Sequence, residues 1–203
     1  MNKFCSVKDH YDLLITENND PVYDPPQLKS YMDQYDGEKF IDLLRISKAD
    51  DVLEIGVGTG RLALRVADRC KTFTGIDISP KTIERAYFNL KSFSNVNLIC
   101  ADFLQYAFRE KYNLIYSSLT FMHFSDKYSA IRKIYNLLTS SGRFVLSTDK
   151  NPREILDFGN RMLRVFPDDR TETENTLQQC GFTLSTVHET KNAFLFSATK
   201  THE

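Results

Sequence analysis

The chain has little net charge and no long apolar run. Its 203 residues include 26 Lys and Arg against 27 Asp and Glu, for a formal net charge of -1. No overall positive field would concentrate nucleic acid or an anionic membrane surface, so we expect neither as a partner. No stretch is apolar for long enough to span a bilayer, and the first residues lack the apolar core of a signal peptide. These absences predict a cytoplasmic protein.

Cysteine is also scarce, and its four positions are far apart: Cys5, Cys70, Cys100 and Cys180. No pair has the Cys-x-x-Cys spacing of a zinc site or a redox motif, so we expect reduced thiols that are mostly buried. No internal repeat, low-complexity tract or interdomain linker interrupts the chain. With 41% hydrophobic residues, the chain can bury one substantial core, and we expect a single domain over residues 1–203.

From residue 51 onward, apolar runs alternate with amphipathic stretches. This order is typical of an α/β fold, in which helices cross over a parallel sheet. Strands are predicted at residues 51–55, 72–77, 96–100, 113–117 and 143–147. Open sheets of this kind bind their ligands beyond the carboxyl ends of the strands, so the residues that follow each run are the candidate site residues.

The amphipathic stretches carry helix start and stop signals. A helix is predicted over residues 79–91, where Ser79 can cap the first turn, and another over 126–139, where apolar residues recur at helical spacing. Gly181 marks a helix end. The two apolar runs joined around residues 189–192 predict a closing antiparallel hairpin.

The segment that is most informative about chemistry is residues 52–61, with the sequence VLEIGVGTGR. A buried strand and a carboxylate precede three glycines on alternate positions, where a ligand can approach the backbone closely. A dinucleotide-binding fingerprint would have its third glycine at the position of Arg61, and no phosphate-binding loop ending in Gly-Lys-Ser/Thr is present. The negative charge of Glu54 disfavours bound phosphate and suits a ligand with ammonium and sulfonium groups.

This loop resembles the first motif of the class I S-adenosylmethionine-dependent methyltransferases, Glu/Asp-x-Gly-x-Gly-x-Gly. The resemblance covers about residues 38–200. It implies a Rossmann-like, seven-stranded, mostly parallel sheet with helices on both faces and an antiparallel last strand. It also implies S-adenosyl-L-methionine as the cofactor. Gly56, Gly58 and Gly60 would surround the methionine part of that cofactor, and Glu54 would orient it through the loop or through a water.

Two further acids lie at the ends of predicted strands: Asp77 is the last residue of its strand, and Asp102 comes two residues after the next one. Asp77, followed by Ile78, resembles the residue that accepts hydrogen bonds from both ribose hydroxyls, and one carboxylate has two oxygens for that diol. Taken alone, Asp77 could equally be a solvated acid at a helix start. Asp102 and Phe103 resemble the adenine-binding segment, where the acid would accept from the amino group and Phe103 would offer a backbone amide or an apolar wall. Asp102 could also cap the segment that begins at Phe103.

The residues after the fourth predicted strand resemble the loop at the substrate edge of the cofactor, with Ser118 and Leu119 as the expected contacts. His123 is the candidate catalytic base, since imidazole titrates near pH 6.5. A single histidine among aromatic residues is, however, more often a packed structural residue. The Asn-Pro-Pro-Tyr type of motif of nucleic-acid amino methyltransferases is missing here, as is a trio of acids with metal-ligand spacing. We therefore expect a small-molecule acceptor and no metal.

Residues 1–45 are predicted to form a helical cap over the active site of a Rossmann-like core at 46–203. Four tyrosines of this N-terminal cap could exclude water and stabilise a sulfonium, although helix packing would explain most of them: Tyr11, Tyr23, Tyr31 and Tyr35. Residues 152–166 are expected to complete the roof. Three arginines there would face solvent, or one would receive an acidic group of the acceptor: Arg153, Arg161 and Arg164.

Two other functional classes stay open at this point. One is a protein that binds or senses S-adenosylmethionine without catalysis. The other is an NAD-dependent oxidoreductase, which the glycine spacing disfavours. The resemblance says nothing about which acceptor would be methylated or about the oligomeric state.

Overall fold

The structure is a computed structural model that describes residues 3–201. Residues 1 and 2, the first of the predicted cap, and residues 202 and 203, the last of the predicted core, lie outside the described residues. The strands are β1 (Lys3–Cys5), β2 (Asp51–Ile55), β3 (Thr72–Asp77), β4 (Val96–Cys100), β5 (Tyr112–Ser118), β6 (Leu138–Asp149), β7 (Ile155–Asp157), β8 (Arg161–Arg164), β9 (Phe182–Glu189) and β10 (Ala193–Lys200). The α-helices are α1 (Val7–Thr16), α2 (Pro26–Asp36), α3 (Glu38–Leu44), α4 (Ala63–Val66), α5 (Pro80–Asn89), α6 (Lys127–Leu137) and α7 (Arg170–Gln179).

Seven of the strands form one sheet in the order β4-β3-β2-β5-β6-β10-β9. The neighbours from β4 to β6 are parallel, and β10 is antiparallel to both β6 and β9. The predicted fold class, a mostly parallel seven-stranded sheet with an antiparallel last strand, is confirmed. The chain runs outward from β2 to β4 and then returns to β5 on the other side of β2. This reversal opens a crevice at the carboxyl ends of β2 and β5, where such sheets bind ligands.

The predicted strands and helices agree closely with the structure. Three of the five predicted strands have the observed bounds of β2, β3 and β4. The fifth is longer than predicted, because β6 pairs with both β5 and β10 beyond its apolar centre. Ser79 caps α5 by accepting the Thr82 N–H at 3.1 Å, as predicted.

Buried residues form a separate hydrophobic cluster on each face of the sheet. Val52 and Leu114 belong to one cluster with residues of α3 and α5, and Leu53 and Ile115 belong to the other with residues of α6 and α7. Successive residues of a strand point to opposite faces, so a strand that is covered on both sides needs an uninterrupted apolar run. This is why the central strands could be identified from the sequence.

The N-terminal segment contains α1, α2 and α3 and also a strand that the sequence did not predict. β1 pairs in parallel with β8, and β8 pairs antiparallel with β7, so these three form a small second sheet. A three-residue strand is too short to show an alternating pattern. Of the four cysteines, none forms a disulfide, but only Cys70 and Cys180 are buried, whereas Cys100 is exposed. No helix within residues 3–201 has the length and apolar character needed to cross a membrane.

Arg161 joins the small sheet to α1. Its side chain is 6% exposed, and its Nε donates to His10 Nδ1 at 3.0 Å. Its two terminal nitrogens donate to the Glu17 carboxylate at 2.6 and 2.8 Å. Burial and then the charge of Arg161 lower the pKa of His10 to about 4, so His10 accepts its bond as a neutral imidazole. Arg161 is therefore a structural residue, while Arg153 and Arg164 are exposed.

We predict that Arg161→Gln lowers the free energy of unfolding by about 2 kcal/mol, because His10 and Glu17 lose a buried, charged donor. Urea unfolding followed by circular dichroism measures this change. Arg164→Gln, on the same strand but exposed, is the matched control and should change stability by less than about 0.5 kcal/mol. Equal losses in the two variants would contradict the role given to Arg161.

Candidate active site

A cavity of about 570 Å³ lies at the carboxyl ends of β2, β3, β4 and β5. This volume is in the range of sites for small molecules and cofactors. All but one of the predicted site residues are part of its wall: Glu54, Gly56, Gly58, Asp77, Ile78, Asp102, Phe103, Ser118, Leu119 and His123. The exception is Gly60, and a Cβ at that position would lie 3.0 Å from Leu90 Cδ1, in the core.

The glycine loop has a backbone that disfavours other residues. Gly56, Gly58 and Gly60 have φ angles of 75°, 56° and 93°, in the left-handed region that costs a residue with a side chain about 1–2 kcal/mol. A Cβ at Gly56 would lie 2.0 Å from the Thr120 hydroxyl oxygen. A Cβ at Gly58 would have no atom within 4 Å. Gly58 therefore leaves open space at the cavity, whereas Gly56 is needed for packing.

Asp77 ties this loop to the start of α5. Its Oδ2 accepts the Gly58 N–H at 3.0 Å, and its Oδ1 accepts the Ser79 N–H at 3.0 Å. Burial raises the pKa of Asp77, and the backbone amides oppose that shift. Each carboxylate oxygen has two acceptor positions, so Asp77 keeps capacity for further donors on the cavity side.

Glu54 lies below the loop, on the face of β2 that carries Val52. Its Oε2 accepts the Tyr116 hydroxyl at 2.9 Å, and both side chains are buried. Burial raises the pKa of Glu54 well above its ordinary value, while the Tyr116 hydroxyl and the charge of Arg61 oppose the shift. Glu54 is thus a carboxyl group whose charged form would gain from a nearby cation.

Ser118 and Leu119 stand where β5 ends at the cavity. Leu119 has a φ of 54°, a left-handed conformation that is uncommon for a branched side chain. The Thr120 hydroxyl donates to the Ser118 carbonyl at 3.0 Å and supports this turn. Strained residues of this type persist where the surrounding structure holds them, and they cluster at functional sites.

Asp102 and Phe103 lie at the opposite end of the cavity wall from Ser118. Asp102 Oδ1 accepts the Leu104 N–H at 2.7 Å, so the local turn-capping role that the sequence left open is present. The Phe103 side chain is buried and packs against Phe108 and Phe124. Its ring is therefore an apolar wall of the cavity rather than a free surface.

Asp36, the last residue of α2, is a wall residue that the sequence did not reveal. Its side chain is fully buried, and its Oδ2 accepts from Arg61 Nη2 at 2.5 Å and from Ser118 Oγ at 2.6 Å. An acid before Gly37 at a helix end looks like a solvated residue in the sequence. Arg61, on the same wall, entered the sequence argument only as a departure from the dinucleotide fingerprint.

Tyr11 of α1 and His123 form a polar pair on the cavity wall. The Tyr11 hydroxyl and His123 Nε2 are 2.9 Å apart. Burial lowers the pKa of His123 to about 4, so the imidazole is neutral near pH 7, and burial raises the pKa of Tyr11. His123 Nδ1 is buried without a hydrogen-bond partner. The pair can therefore act on a ligand through neutral donors and acceptors.

The expected roof is only partly correct. Residues 1–45 contribute seven residues to the cavity wall, namely Ser6, Val7, Lys8, Tyr11, Pro21, Met32 and Asp36. Residues 152–166 contribute none of the wall, because β7 and β8 fold onto β1 instead. The other cap tyrosines also lie outside the wall. Tyr31 and Tyr35 bond to each other, with 2.9 Å between their hydroxyl oxygens, and Tyr23 is 64% exposed.

Polar atoms without partners concentrate at the cavity. Within residues 3–201, five buried side-chain nitrogen and oxygen atoms have no hydrogen-bond partner, and three of them belong to wall residues: Asp36 Oδ1, Thr59 Oγ1 and His123 Nδ1. Buried polar groups are nearly always paired, so this wall fits a polar ligand. The open space at Gly58 and the acids of the wall fit a cationic ligand such as S-adenosylmethionine. The described residues contain no group of three or more His, Cys, Asp or Glu that could hold a metal.

Comparison with known proteins agrees with this geometry. The family model described as a methyltransferase domain matches residues 46–194. A malonyl-[acyl-carrier protein] O-methyltransferase of Acetivibrio thermocellus is 36% identical over 100 residues, which are 48% of this chain and 35% of that protein. The matched part is thus about a third of that relative.

Two solved structures share the fold. The N-methyltransferase NodS from Bradyrhizobium japonicum WM9, in complex with S-adenosyl-L-homocysteine, has a TM-score of 0.70 and 21% identity, over 95% of this chain and 98% of that one. The [4+2]-cyclase SpnF has a TM-score of 0.78 and 15% identity, over 100% and 99%. Since the family model covers most of the chain and the fold is that of these proteins, the chain belongs to the class I S-adenosylmethionine-dependent methyltransferases.

Proposed function

We propose that this protein transfers the methyl group of S-adenosylmethionine to a small-molecule acceptor. The observation that carries the proposal is the continuity of the cavity. Its wall runs from the acids at the ends of β3 and β4, past the glycine loop, to the polar pair Tyr11 and His123. A protein that only bound the cofactor would not need this additional end lined by polar and aromatic groups.

In this proposal the adenosine part of the cofactor lies over the ends of β3 and β4. Asp77 accepts from the ribose hydroxyls with the acceptor positions that Gly58 and Ser79 leave. Asp102 accepts from the adenine amino group, and Ile78 and Phe103 form apolar walls. The hydrogen bonds that the Asp77 carboxylate accepts from the ribose are charge-assisted, so they are the strongest of these contacts.

The methionine part then lies along the glycine loop. Gly58 provides the close backbone approach, while Gly56 and Gly60 shape the loop. Glu54 supports the loop from below, and a cation bound near it would favour its charged form. Ser118 and Leu119 place the substrate edge of the cavity beside the methyl group.

The bound cofactor supplies a sulfonium methyl group that is already a strong electrophile. The chain has to hold an acceptor atom in line with that methyl group and exclude water, which is catalysis by proximity. His123, with a pKa of about 4, is a weak base at neutral pH. We therefore assign Tyr11 and His123 to the orientation of the acceptor by hydrogen bonds, with proton removal as a secondary role.

The SpnF comparison shows that the same fold is also found in a [4+2]-cyclase, so the reaction has to be tested directly. The test is a screen of small acceptors with methyl-labelled cofactor, read by mass spectrometry. A labelled product supports the proposal. A thermal shift with NAD, and none with S-adenosylmethionine or S-adenosyl-L-homocysteine, would contradict it and favour an oxidoreductase.

We predict that Gly58→Val abolishes cofactor binding and leaves the fold intact, at a stability loss of about 1–2 kcal/mol from the left-handed backbone. Gly58→Ala should act in the same direction with a smaller side chain. Gly56→Ala is the matched contrast, because its Cβ would clash with Thr120, and it should destabilise the protein more than Gly58→Ala. Circular dichroism and calorimetric titration on one sample measure both effects. Unchanged affinity in folded Gly58→Val would refute the placement of the ligand.

We predict that Asp77→Asn weakens binding of S-adenosyl-L-homocysteine about 10- to 100-fold, because charge-assisted bonds to the ribose are lost. Asp102→Asn, which removes one contact to the adenine, should have a smaller effect. Both variants keep the shape of the side chain, and calorimetry gives the two affinities. If the order is reversed in folded variants, the two acids have been assigned to the wrong parts of the cofactor.

A further inference from the structure

The charged side chains of the cavity wall indicate which kind of acceptor the site takes. The wall contains four acids and two basic side chains: Asp36, Glu54, Asp77, Asp102, Lys8 and Arg61. Both basic side chains are held by acids, since Arg61 donates to Asp36 at 2.5 Å and Lys8 donates to Asp12 at 3.1 Å. Among the wall residues that the structure describes, no cation is left without an acidic partner. An acceptor with a carboxylate or phosphate group would therefore lie beside acids with no cation to pair with it.

The titratable groups at the acceptor end of the cavity are poor bases. Tyr11 and His123 are bonded to each other, with 2.9 Å between the hydroxyl oxygen and Nε2. Burial lowers the pKa of His123 to about 4 and raises the pKa of Tyr11, so the imidazole is a weak base and the phenol keeps its proton near pH 7. His10 packs edge-on to Tyr11, and burial lowers its pKa to about 4 as well. These groups can orient an acceptor, but they are poorly matched to removing a proton from a hydroxyl group.

The acids of the wall already have hydrogen-bond partners. Glu54 accepts from Tyr116 below the loop, and both oxygens of Asp77 accept backbone N–H groups. Asp102 accepts a backbone N–H at the end assigned to the adenine, and Asp36 accepts from an arginine and a serine. An acceptor that must lose a proton before it reacts thus has no dedicated base among the described residues of this wall.

We infer that the acceptor is a primary or secondary amine, which reacts in its neutral form at the end of the cavity marked by Tyr11 and His123. This inference rests on the proposed function and names its substrate class. A neutral amine nitrogen already has a lone pair, so it needs no base before the transfer. The lone pair forms the new bond to the methyl carbon while the bond from that carbon to sulfur breaks, and the electron pair of the broken bond stays on sulfur. The positive charge moves from sulfur to nitrogen, and the methylated ammonium product then releases a proton to water.

The Tyr11 oxygen matches the other feature of such an amine, its N–H group. Whichever partner donates in the bond between Tyr11 and His123, the phenol oxygen keeps at least one lone pair. An amine N–H can donate to this oxygen while the nitrogen lone pair faces the methyl group. A carboxylate has no donor for it. The acids of the wall also suit the reaction, because a cation is present before the transfer on sulfur and after it on nitrogen.

The test identifies the atom that receives the methyl group. The protein is incubated with S-adenosylmethionine that carries an isotope-labelled methyl carbon, and with matched trios of an amine, an alcohol and a carboxylate on one carbon skeleton, such as benzylamine, benzyl alcohol and benzoate. A protein-free extract of small metabolites is treated in parallel. NMR distinguishes a methyl group on nitrogen from one on oxygen, sulfur or carbon. We expect N-methyl products, formed at least about 100-fold faster than O-methyl products within a trio, and none with Gly58→Val.

The possible results separate this inference from the proposed function. Products that are methylated only on oxygen, sulfur or carbon would overturn the inference and support the proposed function. If no compound of the trios or of the extract is methylated, the proposed function is wrong, and the inference is wrong with it.

Equilibrium binding gives a readout that does not depend on turnover. In the complex with S-adenosyl-L-homocysteine, the protein should bind the reactive amine at least about 10-fold more tightly than the carboxylate of the same trio, because only the carboxylate is an anion without a cationic partner. Calorimetry measures both affinities. Equal or tighter binding of the carboxylate would overturn the inference.

The pH dependence separates orientation of the acceptor from base catalysis. Below the pKa of the free amine, kcat/KM should rise about tenfold per pH unit, because only the neutral amine reacts, and the midpoint should move when an amine of different pKa is used. His123→Gln should lower kcat/KM by less than about 10-fold without moving this midpoint, whereas loss of a general base costs about 100- to 10,000-fold. A midpoint that stays fixed when the amine is changed, and that disappears in His123→Gln, would overturn the inference.

Discussion

The bond from the Gly58 N–H to the Asp77 carboxylate is the contact on which the site depends. It joins the loop after β2 to the end of β3, and the second oxygen of Asp77 joins the same point to the start of α5. The loop can take this path only with glycines in the left-handed region. A surface without side chains results, directly at the crevice where the strand order reverses. The remaining wall residues are arranged around this surface.

The N-terminal cap is attached to that arrangement by polar contacts at the ends of strands. Asp12 accepts the Ser79 hydroxyl at 2.7 Å and the Lys81 N–H at 3.1 Å, which docks α1 at the start of α5. Tyr11 meets His123, and Asp36 meets Ser118. The N-terminal segment therefore takes part in the site through hydrogen bonds as well as through apolar packing, and Tyr11 and Asp36 are part of the cavity wall.

Burial gives the cavity its preference for charge. It raises the pKa values of Glu54 and Asp77, which means that the anionic forms of both acids are disfavoured when no cation is near. A ligand with a sulfonium and an ammonium group would offset this cost. The same burial lowers the pKa of His123 and leaves a neutral imidazole at the end of the cavity that we assign to the acceptor. One physical effect thus favours a cation at the loop and neutral polar chemistry beside it.

The sequence by itself determined the sheet and the glycine loop. The central strands are buried on both faces, so each appears in the sequence as a short apolar run. The loop has a glycine at each position where its backbone takes a left-handed conformation. Asp77 and Asp102 were identified as candidate site residues from their positions, the first at the end of β3 and the second just after β4. Ser118 and His123 were found from the resemblance of the segment after β5.

Only the tertiary structure decided the contacts between distant segments. Asp36 and Ser118 are 82 residues apart, and Arg161 and Glu17 are 144 apart. No local pattern distinguishes a buried acid at the end of α2 from a solvated one, and none shows that β1 pairs with β8. The expected roof at residues 152–166 was wrong for the same reason, because the side on which a hairpin folds is set by its partner strand. Local periodicity records which face of an element is buried, whereas long-range pairing decides what that face meets.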